Sequence, residues 1–234
     1  MQAKQGCLLI HGFLSNSDDM KPLADLLAGI PDLIVRCPNL PGHGENCDEI
    51  GKVTYHDWIR YAEENLAELQ KTCDKVSVVG FSMGGLIAVN LAARHDIERL
   101  ALLNMPVYVG NVRRVALNIL EDLKSGNHVH LRRYREEVAL KPPVSALHNF
   151  LELLRTTKRL FPMVTCPTFI AQSDKDDTVQ PKSADYIYRN ISSTEKVLKR
   201  YPESSHIILY EPDRDAVVAD VTAFLVTGDS RPML

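Results

Sequence analysis

One serine stands in a setting typical of an activated nucleophile. Ser82 is the middle residue of Gly80-Phe81-Ser82-Met83-Gly84, a Gly-x-Ser-x-Gly motif. The apolar run Val76–Val79 before it predicts a buried strand, and Gly85–Arg94 after it predicts a helix. Strand, motif and helix in succession indicate a nucleophile elbow, a turn so sharp that the serine backbone is strained and its hydroxyl projects above the sheet. The alternative is a glycine-rich turn without chemistry.

A serine hydroxyl is a weak nucleophile and needs a general base, which itself needs an acid to orient it. Five histidines follow Ser82 in the chain: His95, His128, His130, His148 and His206. Three of them fall in a helical insertion, and His95 falls at the far end of the helix that starts after Ser82. His206 follows the last predicted strand, at a carboxyl end where such sheets present functional groups, so it is the predicted base.

The orienting acid is expected after the preceding strand, where Asp174, Asp176 and Asp177 stand close together. Three neighbouring carboxylates cannot all face one imidazole. Val179 is expected to tuck under this loop, and an acid three residues before it favours Asp176. Asp174 stays the main alternative, and the carboxylates that are not used are expected to cap or solvate the loop.

Two backbone N–H groups are needed to hold the oxyanion of a tetrahedral intermediate. Met83, the residue after the nucleophile, is expected to supply one of them. His11-Gly12-Phe13 directly follows the predicted strand Gly6–Ile10, so Phe13 is expected to supply the other, with Gly12 giving the backbone freedom to aim it. His11 is interpreted as a residue that fixes the loop rather than as a second base.

The elements that must position these residues alternate along the chain. Strands are predicted over residues 6–10, 33–37, 76–79, 99–104, 167–171 and 197–201, and helical spacing of apolar residues recurs near 18–27, 58–69, 85–94 and 217–225. Such alternation favours an α/β fold with a mostly parallel sheet and helices on both faces. The chain is expected to form one domain over residues 1–234.

One segment breaks this alternation, because no convincing strand occurs between Pro106 and Pro167. Residues 107–165 are predicted to form a small helical cap, since such an insertion is too long for a simple loop. Its apolar side chains are Leu117, Leu120, Leu123, Phe150, Leu151 and Leu154. Some of them are expected to form an acyl pocket at the functional edge of the sheet. The alternative is that all six pack the cap onto the core.

Composition excludes several other function classes. The chain has 234 residues and a formal net charge of −3, which gives no reason to expect nucleic acid or an anionic membrane as a partner. Its five cysteines are scattered without paired spacing, so neither a zinc site nor a disulfide framework is indicated. No apolar run approaches the roughly 18 to 20 residues that span a bilayer, and no signal-type segment opens the chain. A cytoplasmic protein without integral membrane contact is the simplest prediction.

These motifs together resemble the α/β-hydrolase superfamily, and more closely its small bacterial carboxylesterases and monoacylglycerol lipases. The matching stretches extend over nearly the whole chain: His11-Gly12-Phe13, Pro41-Gly42-His43-Gly44, Gly80 to Gly85, Asp176-Asp177-Thr178-Val179 and Ser204-Ser205-His206. The resemblance implies that the acid is Asp176 and that residues 107–165 form a small helical cap. Ser205 is a departure, because relatives often have glycine there, and it is expected to narrow the geometry of the loop.

The resemblance implies a serine carboxylester hydrolase that needs no cofactor and no metal. Ser82 would attack the ester, His206 would transfer protons, Asp176 would hold the imidazole, and the N–H groups of Phe13 and Met83 would bind the oxyanion. The expected substrate is a small-molecule ester of short to medium chain length, with a monoacylglycerol as the alternative. A non-catalytic binding protein on the same scaffold is the rival from another class. Nothing in the sequence fixes the oligomeric state.

Overall fold

Six parallel strands form the framework that carries the site. The computed structural model describes residues 4–110, 115, 117–120, 124, 126 and 142–227. The strands are β1 (Gln5–Ile10), β2 (Leu33–Arg36), β3 (Lys75–Phe81), β4 (Leu100–Leu103), β5 (Thr168–Ser173) and β6 (Lys196–Tyr201). All six predicted strands are confirmed, with ends displaced by one or two residues.

The strand order is β2-β1-β3-β4-β5-β6, and every neighbouring pair is parallel. Because the order runs outward in both directions from β1 and β3, the sheet has a switch point between these two strands. Open α/β sheets bind ligands in the crevice at the carboxyl ends of the strands at such a point. The segment after β1 and the Ser82 turn after β3 both lie there.

Helices cover both faces of the sheet. Their bounds are α1 (Lys21–Ala28), α2 (Tyr55–Gln70), α3 (Met83–Ala92), α4 (Val144–Thr157), α5 (Lys182–Asn190) and α6 (Arg214–Thr227). Helix α2 begins with a capping box, in which the Thr54 side chain accepts a hydrogen bond from Asp57 N–H and the Asp57 carboxylate accepts one from Thr54 N–H. Its start is thereby fixed by the local sequence.

The core consists of two layers, because successive strand residues point to opposite faces. Leu8 and Ile10 of β1 pack with α2, α3, α4 and α5, whereas Cys7 and Leu9 pack with α1 and α6. Helix α3 is buried from Met83 to Leu91, so the element that follows Ser82 lies at the centre of the molecule. The elbow is thereby packed against the core.

Helices α3, α4 and α5 bear on the expectations from the sequence. Helix α3 begins at Met83, two residues earlier than expected, and α5 was not predicted. Helix α4 lies within the expected cap and confirms helical structure there. Most of the remaining insertion, including Leu123, His128 and His130, lies outside the described residues. The single domain over 1–234 with its cap at 107–165 therefore stays a prediction.

Candidate active site

Ser82 occupies a strained turn between β3 and α3. Its φ of 50° and ψ of −120° are unusual for a residue that carries a side chain. The turn can be this tight because both flanking glycines lie against the backbone: a Cβ on Gly80 would lie 2.3 Å from the carbonyl oxygen of Gly84, and a Cβ on Gly84 would lie 2.1 Å from that of Ile10. Strand, elbow and helix thus have the geometry expected from the motif.

The structure brings Ser82, His206 and Asp176 together in one hydrogen-bonded chain. Nε2 of His206 lies 3.0 Å from Oγ of Ser82, and Nδ1 of His206 lies 2.9 Å from Oδ2 of Asp176. Because an ionised carboxylate can only accept hydrogen bonds, the ring proton belongs on Nδ1. Nε2 then carries the lone pair that can accept the proton of the serine hydroxyl. By contrast, His95 lies 3.3 Å from Glu63 and away from this chain.

The Asp176 carboxylate is completely buried and is held by its own loop. Its Oδ1 accepts hydrogen bonds from the backbone N–H groups of Thr178 and Val179, at 2.9 and 2.8 Å. Val179 is buried beneath the loop, as the sequence predicts. Oδ1 is thereby engaged by the backbone while Oδ2 faces the imidazole.

The other two carboxylates of this loop point elsewhere. Asp174 is exposed and pairs with Arg200 at 3.4 Å. Asp177 accepts a hydrogen bond from the side chain of Asn118, a residue of the insertion, at 2.9 Å. Of the three aspartates considered from the sequence, Asp176 is the one that contacts His206.

Asn104 is a site residue that sequence reasoning missed. It follows β4 with a φ of 45° and is completely buried. Its amide donates to the carbonyl oxygen of His206 at 2.8 Å and to Oγ of Ser173 at 3.0 Å, and its Oδ1 accepts from the N–H of Ser173 at 2.8 Å. Asn104 therefore ties the His206 loop to the end of β5. The only sequence signal was an asparagine at a strand end, where left-handed backbone is common for this residue.

Ser205 fits its loop without backbone strain. It is not among the described residues with positive φ, so the glycine often found in relatives is not needed for conformational reasons. Its hydroxyl donates to the Glu211 carboxylate at 2.7 Å, and Asp213 accepts from the N–H of Ser204 at 2.8 Å. The loop that carries His206 is thus pinned on the side facing α6.

The loop expected to supply an oxyanion donor lies beside the elbow. A Cβ on Gly12 would lie 3.5 Å from Cβ of Ser82, so the backbone after β1 passes directly next to Ser82. Phe13 follows, with its ring stacked on Phe150 at 5.3 Å between centroids. Met83 is the first residue of α3, where N–H groups have no partner within the helix. Both predicted donors therefore come from segments that border Ser82.

His11 anchors this loop and is neutral. Its Nδ1 lies 2.8 Å from the carbonyl oxygen of Gly12, and its Nε2 accepts a hydrogen bond from the N–H of Leu40 at 3.0 Å. Nδ1 therefore carries the ring proton. Burial lowers the pKa of His11 to about 4, with the nearby His43 adding to the effect. A ring with both nitrogens occupied fixes the loop and does not act as a base.

A cavity of about 580 Å³ opens above the Ser82 hydroxyl. Phe150 and Leu151 of α4 line it, together with Phe13 and the ring of His206. Leu154 instead packs against the core cluster. Leu117 and Leu120 are half-exposed. Of the five described residues in the apolar set singled out from the sequence, two line the cavity, and Leu123 lies outside the described residues. The cavity wall is mostly hydrocarbon, which suits an acyl chain.

Neither a metal cluster nor a membrane span is found in the part of the chain that the structure describes. No group of three His, Cys, Asp or Glu side chains there could hold a metal ion. Likewise, none of its helices is long and apolar enough to cross a bilayer.

The parallel sheet, the elbow at its switch point and the residues around Ser82 define an α/β-hydrolase. Residues 1–213 match the Hydrolase_4 family, described as serine aminopeptidase, S33, and the chain belongs to this family. Its relatives include lipases and carboxylesterases, and together with the family they identify the chain as a serine ester hydrolase.

Two curated relatives cover almost the whole chain. A thermostable monoacylglycerol lipase from Bacillus sp. strain H-257 is 32% identical over 224 residues, which is 91% of this chain and 87% of the lipase. A carboxylesterase from Bacillus subtilis strain 168 is 25% identical over 224 residues, covering 93% of this chain and 91% of the esterase.

Solved structures agree on the fold. A structure from work on two metagenome-derived lipolytic enzymes, LipS and LipT, superposes with a TM-score of 0.79 at 24% identity, covering 96% of this chain and 94% of that one. The monoacylglycerol lipase of Paleococcus ferrophilus superposes with a TM-score of 0.74 at 16% identity, covering 96% and 95%. The α/β-hydrolase fold predicted from the sequence is thereby confirmed.

Proposed function

We propose that the protein hydrolyses short- to medium-chain carboxylic esters through an acyl-enzyme on Ser82. His206 takes the hydroxyl proton of Ser82 at Nε2 as the oxygen attacks the ester carbonyl. Asp176 keeps the Nδ1–H tautomer and stabilises the imidazolium that forms. His206 then returns the proton to the departing alcohol, which leaves the acyl group bound to serine.

The oxyanion of the tetrahedral intermediate is held by the N–H groups of Phe13 and Met83. Backbone donors of this kind accelerate the step because they are already in place when negative charge develops. A water molecule, activated at Nε2 of His206, then attacks the acyl-enzyme and releases the acid. No step in this scheme needs a cofactor or a metal.

The single observation that carries this proposal is the hydrogen-bonded chain from Ser82 through His206 to Asp176 at the floor of an apolar cavity. A binding protein that had lost catalysis would not need all three members at bonding distance. Their joint presence therefore favours an enzyme over a non-catalytic binding protein on the same scaffold.

Monoacylglycerol hydrolysis is the second candidate, and one observation favours it. The thermostable lipase from Bacillus sp. strain H-257, 32% identical over most of both chains, is a monoacylglycerol lipase. Both candidates share the chemistry at Ser82 and differ only in the alcohol and the length of the acyl chain.

The experiment is a profile of kcat/KM over 4-nitrophenyl esters from acetate to palmitate, with monoacylglycerols of the same acyl groups alongside. Each fully buried methylene contributes roughly 0.8 kcal/mol, so kcat/KM should rise by up to about fifteenfold for every two carbons until the cavity is full. Medium chains should exceed acetate. The Ser82→Ala protein is the control for background hydrolysis.

Two outcomes would decide against parts of the proposal. A profile that falls steadily from acetate upward would contradict an acyl pocket lined by Phe150 and Leu151. A clear preference for monoacylglycerols over 4-nitrophenyl esters of equal chain length would replace the esterase proposal with the lipase one.

A further inference from the structure

A second carboxylate lies in the active-site cavity, outside the chain that orients His206. Asp19 belongs to a short 3₁₀ turn, Ser17–Met20, that follows the oxyanion loop. The hydroxyl of Tyr210 donates a hydrogen bond to the carbonyl oxygen of Asp18 at 2.6 Å and so ties this turn to the segment just after His206. Asp19 is therefore held in the cavity wall beside the catalytic base.

The described residues of the cavity wall carry a one-sided charge. Among the described residues that line the cavity, Asp19 and His206 are the only ionisable ones, and none is a lysine or an arginine. The hydroxyl of Ser15 donates a hydrogen bond to the Asp19 carboxylate. Burial raises the pKa of Asp19, while the hydrogen bond from Ser15 and, to a smaller extent, the charge of protonated His206 act in the opposite direction. No described cation in the wall neutralises this carboxylate.

Asp19 shares its cavity with His206, the base that protonates the leaving alcohol in the proposed reaction. His206 gives its proton to the alcohol oxygen, so that part of the substrate has to approach Nε2. Once His206 carries the proton it has taken from Ser82, its positive charge lowers the pKa of Asp19, so the two groups interact in the charged state of the base. The acyl chain, by contrast, finds its hydrocarbon surface on Phe150 and Leu151 of α4. We therefore expect the alcohol part of the ester to lie near the Asp19 carboxylate.

We propose that Asp19 is a specificity-determining residue that selects the charge of the alcohol part of the ester. When a substrate enters the cavity it displaces water, and charges inside then interact more strongly than at an open surface. A cationic amino alcohol compensates the carboxylate, whereas an alcohol that carries its own carboxylate is repelled. The preferred substrates are thus esters of cationic alcohols, then neutral ones, with esters of hydroxy acids disfavoured. This inference rests on the proposed ester hydrolysis.

Three esters with the same acyl group test it: butyrylcholine, glycerol monobutyrate and the butyryl ester of glycolic acid. Because leaving groups differ in intrinsic reactivity, the quantity to compare is the cation-to-anion ratio of kcat/KM before and after substitution. Asp19→Asn keeps the shape of the side chain and an acceptor for Ser15. The ratio should fall by about tenfold or more, as expected when a charge at close range is removed from a partly desolvated site.

Asp18→Asn is the matched control, because it removes the same charge from the exposed neighbouring residue. It should change the ratio less than about twofold, since exposed charges are screened by water and salt. Asp19→Ser removes the same charge with a smaller side chain, and it should lower the cation-to-anion ratio of kcat/KM as much as Asp19→Asn does.

The outcomes separate the two proposals. If wild-type protein hydrolyses the esters but Asp19→Asn leaves the ratio unchanged, or Asp18→Asn shifts it equally, the role of Asp19 is overturned and ester hydrolysis stands. If wild-type protein hydrolyses none of the three esters, the proposed function and this inference both fail.

Discussion

The replacement of Asp176 by asparagine probes the candidate triad at a single atom. Oδ1 of Asp176 accepts hydrogen bonds from Thr178 and Val179 N–H at 2.9 and 2.8 Å, while Oδ2 lies 2.9 Å from Nδ1 of His206. An asparagine can keep its oxygen on the two backbone donors. Its NH₂ group must then face the imidazole. Because an NH₂ group donates, Nδ1 has to accept, and the ring proton moves to Nε2.

The wrong tautomer removes the acceptor that Ser82 needs. Losses of the order of 10⁴ in kcat are known for this change in a triad, which corresponds to about 5 kcal/mol of transition-state stabilisation. The fold should survive, because the new side chain has the same shape and keeps both bonds to the loop backbone. KM should change little, since Asp176 is not among the described residues that line the cavity.

Asp174→Asn is the matched control in the same loop. Asp174 pairs with Arg200 at 3.4 Å on the surface, and such a pair contributes at most about 1 kcal/mol. Initial rates on 4-nitrophenyl butyrate and thermal unfolding should be measured for both variants. We expect kcat of Asp174→Asn within about twofold of wild type. A larger loss of kcat at Asp174, or an active Asp176→Asn protein with wild-type stability, would refute the assignment of the acid.

Three further predictions follow from the packing around the site. Asn104→Gly keeps the left-handed backbone but removes the side-chain amide, so kcat should fall at least tenfold with little change in KM. Loss of the buried hydrogen bonds should lower the free energy of unfolding by about 2 kcal/mol. An unchanged kcat would contradict the positioning role of Asn104. Gly84→Ala places a Cβ 2.1 Å from the carbonyl oxygen of Ile10 and should lower Tm by several degrees or prevent folding. The control is Gly29→Ala, whose Cβ would lie 3.4 Å from the carbonyl oxygen of Leu26 and should leave Tm nearly unchanged or slightly raised. Equal effects of the two substitutions would contradict the tight elbow. The pKa of His11 drops from 6.5 to about 4 on folding, so the unfolded chain binds the proton first. The free energy of unfolding should therefore decrease as pH falls from 6.5 towards 4, by up to about 3 kcal/mol. Urea unfolding of His11→Gln should show a smaller decrease than wild type over this range, and an equal dependence on pH would refute the prediction.

The residues around Ser82 could be predicted because their signals are local in the sequence. Gly80 and Gly84 flank the serine directly, and the need for small residues at a sharp turn between strand and helix is a steric rule. The position of His206 after the last strand followed from chain order and topology. Asp176 was favoured over Asp174 because Val179 marks the buried side of the loop, and the structure has that side chain buried.

The features that were missed depend on distant contacts. Asn104 contacts Ser173 and His206, which lie 69 and 102 residues away in the chain, so no local pattern reveals its role. Asp19 enters the cavity because the turn at Ser17–Met20 packs near the segment after His206. Helix α5 is short and buries only Ser183, Ala184 and Ile187, so its apolar stripe is too weak to stand out from a loop.

The central claim is that Ser82 is the nucleophile of a serine ester hydrolase. The most direct measurement is mass spectrometry of the protein after treatment with a fluorophosphonate probe, with Ser82→Ala treated in parallel. We expect one adduct on the peptide that contains Ser82. The alanine variant should show no adduct and no ester hydrolysis while retaining the wild-type Tm, because Ser82 lines the existing cavity and loss of its hydroxyl opens no new one in the core. An adduct on another residue, or an alanine variant that still hydrolyses esters, would contradict the claim.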